Sequence, residues 1–229
     1  MLFDKIASKF QLTIKSREAA ASILGEALKD NVKEGKRKNS VVLGIPRGGV
    51  IVADTVAAKL MCEFDIVIPR RLGAPYNAEV TIGAVMEDGS TYFNEELIRE
   101  LEISQEHIEK EKARQVEEIR RRTSLYRSGR GNHQIKDKTL ILVDDGAATG
   151  ATLIATARWL RQKHKLDYFI IAIPVAPKDT LNLLKKEADY VEVITSPSVS
   201  NFKFVEQYFQ NFEAIPDEEV IRIMKKNAK

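Results

Sequence analysis

Two adjacent carboxylates, Asp144 and Asp145, stand between an apolar run and a loop of small and hydroxyl-bearing residues. The run, from Ile141 to Val143, predicts a buried strand, and open α/β sheets bind ligands at the carboxyl ends of such strands. Small side chains let an anion approach backbone N–H groups, hydroxyls donate hydrogen bonds, and a following helix favours negative charge. This small-residue loop consists of Gly146, Ala147, Ala148, Thr149, Gly150, Ala151 and Thr152. It predicts a phosphate site beside two acids that bind sugar hydroxyls or an Mg²⁺ shell; the alternative is an acidic turn and helix cap of any α/β protein.

A second candidate anion site follows the first predicted strand, where Arg47 precedes Gly48 and Gly49 at the start of a helix. A guanidinium beside exposed backbone N–H groups suits a diphosphate, although this Arg-Gly-Gly loop also fits an ordinary strand–helix turn with a solvated arginine. Two further arginines, Arg70 and Arg71, close the second predicted strand. They supply cations for the same anion, or they are simply exposed.

The elements that position these loops follow from hydrophobic patterning. Short apolar runs alternate with helical patterns, which predicts an α/β fold with an open, mostly parallel sheet of about five strands flanked by helices. The predicted strands are 41–45, 64–68, 139–143, 168–173 and 190–194, and the predicted helices are 16–31, 50–60, 152–163 and 179–187. The whole chain, 1–229, is expected to form one domain.

The stretch 72–138 interrupts this alternation as an insertion between the second and third predicted strands. Its Asp88–Gly89 pair lies between apolar runs and predicts a hairpin. Asn94 then caps a highly charged helix, in two pieces broken near Ser104, that continues to about Tyr126. The insertion either covers the site as a lid or forms an oligomerisation arm.

Taken in this order, the motifs resemble those of the type I phosphoribosyltransferases over most of the chain. The resemblance is strongest to a branch whose members carry an Ile-Pro-Arg-Gly-Gly loop and an Asp-Asp-Gly-x-Ala-Thr-Gly-Ala-Thr loop. It implies that Asp144 and Asp145 contact the two ribose hydroxyls of phosphoribosyl pyrophosphate and that the small-residue loop holds the 5′-phosphate. Ala148 stands where the wider family commonly has Thr or Ser, which removes one hydroxyl donor but leaves the backbone donors.

The resemblance also implies a pyrophosphate site. The residues expected there are Arg47, Gly48, Gly49 and Arg71. Arg71 stands where many family members have Lys, so a planar fork replaces a point charge. The catalytic residues are therefore expected to be Asp144, Asp145, Arg47 and Arg71. Mg²⁺ is the implied cofactor, with Asp144 and Asp145 approaching it through water or the ribose.

In this family the segment after the last core strand, here 195–229, contributes a hood over the acceptor base. An aromatic face there stacks on a base or simply packs the C-terminal lobe. Phe202 is our first candidate for the base, while packing is favoured for Phe209 and Phe212. The implied reaction transfers the phosphoribosyl group from Mg²⁺-phosphoribosyl pyrophosphate to a purine-type base and releases pyrophosphate. The alternative is a non-catalytic regulator that binds phosphoribosyl pyrophosphate or a nucleotide.

Composition excludes several other classes. Among 229 residues, 36 Lys and Arg against 33 Asp and Glu give a net charge of +3, too small for a dedicated nucleic-acid binder. The single cysteine, Cys62, provides neither a disulfide framework nor a thiolate metal cage. No apolar run reaches membrane-spanning length, and the first residues are too charged for a signal peptide, so we expect a cytoplasmic protein. No Gly-x-Gly-x-x-Gly motif follows the first strand, which argues against a dinucleotide-binding oxidoreductase. We expect a homodimer, since the charged helix is long enough to reach a neighbour.

Overall fold

The computed structural model describes residues 13–32, 39–78, 80–128, 131 and 135–228. In chain order the strands are β1 (Ser40–Gly44), β2 (Glu63–Ile66), β3 (Arg70–Gly73), β4 (Thr81–Val85), β5 (Thr91–Phe93), β6 (Thr139–Val143), β7 (Tyr168–Val175) and β8 (Tyr190–Thr195). The helices are α1 (Arg17–Asn31), α2 (Gly48–Leu60), α3 (Glu95–Glu100), α4 (Gln105–Arg127), α5 (Ala151–Lys163), α6 (Lys178–Leu184) and α7 (Asp217–Lys226).

Five parallel strands form the central sheet in the order β2-β1-β6-β7-β8. The predicted α/β architecture with an open parallel sheet is therefore confirmed. The register places Ser40 opposite Thr139 and Gly44 opposite Val143, so β1 and β6 end side by side. Because parallel strands share one carboxyl edge, the loops that follow β1 and β6 leave the sheet together.

Both faces of the central sheet are buried, which explains why its strands are apolar throughout rather than alternating. On β1, Val42 belongs to the core that includes Leu24 of α1 and Val56 of α2. Its neighbours Val41 and Leu43 belong to a second core on the opposite face. That second core contains α5 residues such as Trp159 and Leu160 and hairpin residues such as Ala84 and Met86.

The inserted segment builds a second, antiparallel sheet in the order β3-β4-β5. The predicted hairpin is present: β4 and β5 flank Gly89, whose φ of 81° lies in the left-handed region that glycine favours. The prediction that Arg70 and Arg71 close the second strand is wrong. They begin the separate strand β3, in which Arg70 lies opposite Val85. The chain leaves the main sheet after β2, where the N–H of Ile68 donates to Glu87 Oε1 (2.7 Å) instead of to a parallel neighbour.

The charged helix is divided as predicted. Asn94 caps α3 by accepting from Leu97 N (3.2 Å), and Ser104 caps α4 by accepting from His107 N (3.3 Å). One face of α4 is buried against β3 and α7, with Ile119 among its core residues. The long helix is therefore docked on the domain over much of its length.

The predicted hood contains two short 3-10 turns, Val199–Asn201 and Val205–Tyr208, followed by α7. α7 packs against α2 and α4 through Val220, Ile223 and Met224. Within the described ranges, no helix combines the length and the apolarity that crossing a membrane requires.

Candidate active site

The acidic pair and the Arg-Gly-Gly loop meet at the carboxyl edge of β1 and β6. A Cβ atom on Gly48 would overlap the Asp145 carboxylate, and a Cβ on Gly49 would lie 2.9 Å from Asp144 Oδ1. Only glycine permits this approach, because both positions face the carboxylates across the gap between the strands. The peptide bond before Arg47 is cis. The structure thus brings together the two motifs that the sequence predicted separately.

Arg17 is a member of this site that the sequence analysis missed. It is 7% exposed, and its Nε donates to Asp145 Oδ2 at 2.7 Å. Its Nη1 donates to the Glu213 carbonyl (2.8 Å), and its guanidinium lies 3.6 Å from the centre of the Phe212 ring. Helical spacing could have indicated this role. Arg17 lies seven positions before the buried Leu24, on the same face of α1, and this spacing predicts that the arginine is buried as well.

The two carboxyls differ in their surroundings. Burial and the neighbouring charge of Asp145 raise the pKa of Asp144 well above its ordinary value. Burial also raises the pKa of Asp145, against the opposing effect of the paired Arg17 guanidinium. Asp144 Oδ1 accepts the backbone N–H of Asp145 (2.9 Å). We infer that Asp145 is the group held as a carboxylate and that Asp144 takes up a proton more readily.

The small-residue loop leads directly into the N-terminus of α5. Gly150 has a φ of 73°, caps the helix without a side-chain hydrogen bond, and is followed by the first turn of backbone N–H groups. Two contacts hold the loop: Ala147 N donates to the Val175 carbonyl (2.9 Å), and Thr180 Oγ1 donates to the Ala148 carbonyl (2.6 Å). The loop therefore offers donors from a fixed backbone.

The predicted arginines lie in different environments. Arg47 is exposed at the start of α2, and its Nη1 lies 3.6 Å from Asp217 Oδ1. Arg71 is exposed in β3, beside Arg70, whose Nε donates to Gln115 Oε1 (2.8 Å). Arg47 is close to the acidic pair because the two glycines that follow it contact Asp144 and Asp145. The role of Arg71 stays a prediction.

The hood carries several aromatic side chains. Phe202 stacks on Tyr208, with ring centres 5.8 Å apart and planes 16° apart. Phe204 is 53% exposed and precedes Val205, whose Cγ1 would lie 2.5 Å from a Cβ on Gly146. Besides the predicted Phe202, which is partly buried, the hood therefore has a second and exposed aromatic, Phe204.

A cavity of about 1460 Å³ lies elsewhere, between α1, β8 and the hood. Its lining includes Ile23, Lys178, Glu192 and Ser196, and the acidic pair is not part of it. The cavity is therefore distinct from the carboxyl edge of β1 and β6.

The donor set can be tested against Mg²⁺. Across the part of the chain that the structure describes, no group of three or more His, Cys, Asp or Glu could hold a metal ion. Asp144 and Asp145 supply carboxylate oxygens, but one oxygen of Asp145 is already paired with Arg17. Such a site fits an Mg²⁺ that arrives with phosphate oxygens and water as its main ligands, which is the way this ion usually binds.

Comparisons with known proteins show which family the chain resembles. Residues 11–88 and 77–212 match the family described as "Phosphoribosyl transferase domain". The chain is 33% identical over 200 residues to a Mycobacterium tuberculosis protein named "Putative phosphoribosyl transferase Rv0571c", covering 87% of this chain and 44% of that protein. It thus spans less than half the length of that relative. The crystal structure of TT1426 from Thermus thermophilus, at 35% identity, superposes with a TM-score of 0.77 over 95% of this chain and 100% of that one.

Proposed function

The chain belongs to the phosphoribosyl transferase family, and from that premise we propose that it transfers the phosphoribosyl group of Mg²⁺-phosphoribosyl pyrophosphate to a nitrogen of a purine-type base. Pyrophosphate is the second product. The observation that carries this proposal is the contact between the Arg-Gly-Gly loop and the acidic pair, with Gly48 and Gly49 against Asp144 and Asp145. A diphosphate site and a sugar-hydroxyl site then lie side by side, as this donor requires.

The donor would be anchored at both ends. The small-residue loop and the first turn of α5 would bind the 5′-phosphate, and this remote contact positions the anomeric carbon. Asp145, paired with Arg17, would accept from a ribose hydroxyl. Asp144, whose pKa is raised by burial, would contact the second hydroxyl and accept a proton.

The reaction would pass through an oxocarbenium-like transition state as the bond to pyrophosphate breaks. Charge then grows on the departing pyrophosphate, and Arg47 with the N–H groups of Gly48 and Gly49 would stabilise it. An Mg²⁺ bound with the donor would neutralise further phosphate charge. Arg71 is proposed as a second cation, and the 72–138 insertion as the cover that excludes water from the donor.

The acceptor base would lie under the hood. Phe202 and the exposed Phe204 are the aromatic faces proposed to bind it. The proposal also includes a homodimer, because one charged face of α4, at Glu109, Glu117 and Arg120, stays exposed within the described chain.

The test is pyrophosphate release from Mg²⁺-phosphoribosyl pyrophosphate with hypoxanthine, guanine, xanthine, adenine, uracil or orotate added singly. We expect one purine-type base to stimulate release. The Asp144→Asn plus Asp145→Asn variant should lose that activity, because the ribose hydroxyls lose their anionic acceptors. Asp30→Asn, at an exposed position near the end of α1, is the control and should keep it.

The outcomes separate the candidate functions. Donor binding without release for any base would favour the regulator over the enzyme. Near-native release by the double variant would contradict the assigned roles of the acids. Absence of donor binding in the parent protein would contradict the whole proposal.

A further inference from the structure

Asp217, the first residue of α7, joins three segments that are distant in the sequence. Its Oδ2 accepts from Arg121 Nη1 and Nη2 of α4, at 3.0 and 3.1 Å. Its Oδ1 accepts from Tyr126 Oη, also of α4, at 2.5 Å. The same Oδ1 lies 3.6 Å from Nη1 of Arg47 in the Arg-Gly-Gly loop. This carboxylate is therefore the link between the proposed pyrophosphate site and the helices behind it.

The contacts with α4 hold the carboxylate in one position. Tyr126 is 1% exposed, and burial together with its hydrogen bond to Asp217 raises the pKa of its hydroxyl to about 12, so it stays a donor at neutral pH. Arg121 also donates to both oxygens of Glu118, at 2.8 and 3.0 Å, which orients its guanidinium. Burial would raise the pKa of Asp217, but these hydrogen bonds and the charges of Arg121 and Arg47 lower it.

The contact with Arg47 is of a different kind. At 3.6 Å it is an ion pair longer than a hydrogen bond, and the Arg47 side chain is 41% exposed. Asp217 therefore restrains the direction of the guanidinium without occupying its donors. A second anion can therefore bind Arg47 donors that Asp217 does not use, while Asp217 keeps its bonds to Arg121 and Tyr126.

We propose that Asp217 is a positioning residue for pyrophosphate: it holds the Arg47 guanidinium beside Gly48 and Gly49, ready to bind the diphosphate. The inference deepens the proposed function and rests on it, because it requires a diphosphate at this loop. Its benefit is entropic, since an arginine that is already restrained loses less side-chain freedom on binding.

The test measures by calorimetry how tightly the protein binds two ligands, each of which corresponds to one half of the donor. Mg²⁺-pyrophosphate probes the Arg47 half, and ribose 5-phosphate probes the acidic pair and the small-residue loop. Asp217→Asn should weaken pyrophosphate binding by roughly 2- to 10-fold, the range expected from ordering one flexible side chain. Ribose 5-phosphate binding should stay unchanged, which a general loss of structure would not allow.

Three further variants complete the design. Arg47→Ala shows how much pyrophosphate affinity is lost when the cation is absent. Asp217→Glu keeps the negative charge and should retain part of the affinity that Asp217→Asn loses. Glu219→Gln is the matched control, because Glu219 lies on the same helix and pairs with Arg222 (2.6 Å) instead. It should leave both affinities unchanged. If Asp217→Asn does not fold, Tyr126→Phe frees Oδ1 and should weaken pyrophosphate alone by about 2-fold.

Unchanged or tighter pyrophosphate binding in the folded Asp217→Asn variant, or in Tyr126→Phe, would overturn the inference. Tighter binding would mean that the carboxylate competes with the diphosphate for Arg47. A parent protein that binds neither probe would instead overturn the proposed function, so the two failures are distinguishable.

Discussion

At the scale of single residues, the candidate site concentrates groups that are costly to bury. Asp144 and Asp145 are adjacent carboxyls, both partly buried, and Arg17 neutralises only Asp145 directly. Asp144 is left with a raised pKa, caused by burial and by the charge beside it. Proteins accept such a cost where function requires it, so removing the charge of Asp144 should stabilise the fold.

We expect Asp144→Asn to raise the Tm at pH 8 by about 3 °C. Protonated Asp144 contributes stability that is fully present below its unfolded pKa of about 3.9 and is lost as the pH rises through the higher folded pKa. Asparagine does not titrate, so the variant does not lose this stability as the pH rises. The Tm difference between the variant and the parent protein should therefore shrink as the pH falls toward 5. Calorimetric melting over this pH range checks it.

The contrast variant is Asp145→Asn, which leaves the buried Arg17 without its charged partner and should lower the Tm. If the Tm difference between Asp144→Asn and the parent protein were constant between pH 5 and pH 8, the stabilisation could not come from removing a buried carboxylate charge.

At the scale of elements, the last residue of α4 is anchored in the main sheet. Arg127 Nη1 donates to Asp65 Oδ1 (2.9 Å) and Oδ2 (3.1 Å), and its Nη2 donates to the Ile66 carbonyl (2.6 Å). Both side chains are 5% exposed. This buried pair ties the insertion to β2, which limits any covering motion to parts of the insertion other than the end of α4.

Asp65→Asn should destabilise the protein by about 3 kcal/mol, because it leaves the buried Arg127 charge with only the longer ion pair to Glu87 (3.4 Å) among its described carboxylate partners. That corresponds to a Tm lower by roughly 10 °C for a domain of this size. Denaturant unfolding measures the free energy directly.

Glu63→Gln is the matched control on the same strand. Glu63 pairs with Lys138 (2.6 Å), but its side chain is 42% exposed, so the loss should stay below about 1 kcal/mol. Equal effects of the two substitutions would show that burial does not decide the strength of the Asp65–Arg127 pair.

At the scale of the whole molecule, the site is assembled from distant parts of the chain. Arg17 comes from the first helix, Arg47 from the loop after β1, Asp145 from the loop after β6, and Phe212 from the hood. A donor that spans the Arg-Gly-Gly loop and the small-residue loop would connect these parts. Its binding should therefore stabilise the folded chain as a unit.

We expect Mg²⁺-phosphoribosyl pyrophosphate at 100 times its Kd to stabilise the protein by about 2.7 kcal/mol, raising the Tm by roughly 5–10 °C. Ribose 5-phosphate at the same concentration should raise it less, because it lacks the pyrophosphate that reaches Arg47. Thermal melts with each ligand make the comparison. A rise with ribose 5-phosphate that equals the rise with the full donor would contradict a diphosphate site at the Arg-Gly-Gly loop.

The features that depend on neighbouring residues could be predicted from the sequence alone. Strands, helices and the hairpin at Gly89 follow from local periodicity and turn chemistry, and the structure has them near the predicted positions. The two motif loops could be recognised because each is contiguous in the chain. The departure of β3 from the main sheet was not predicted, since an arginine pair after an apolar run is compatible with a loop and with a new strand.

The distant residues that complete the site could be identified only from the folded chain. Arg17 meets Asp145 across 128 positions, and Arg121 meets Asp217 across 96. Local patterning carries a signal for burial of Arg17 on its helix face, but none for its partner. Such pairs form because parallel strands bring their carboxyl ends together and the packed helices place charged side chains against each other, a result of the whole fold and not of any local segment.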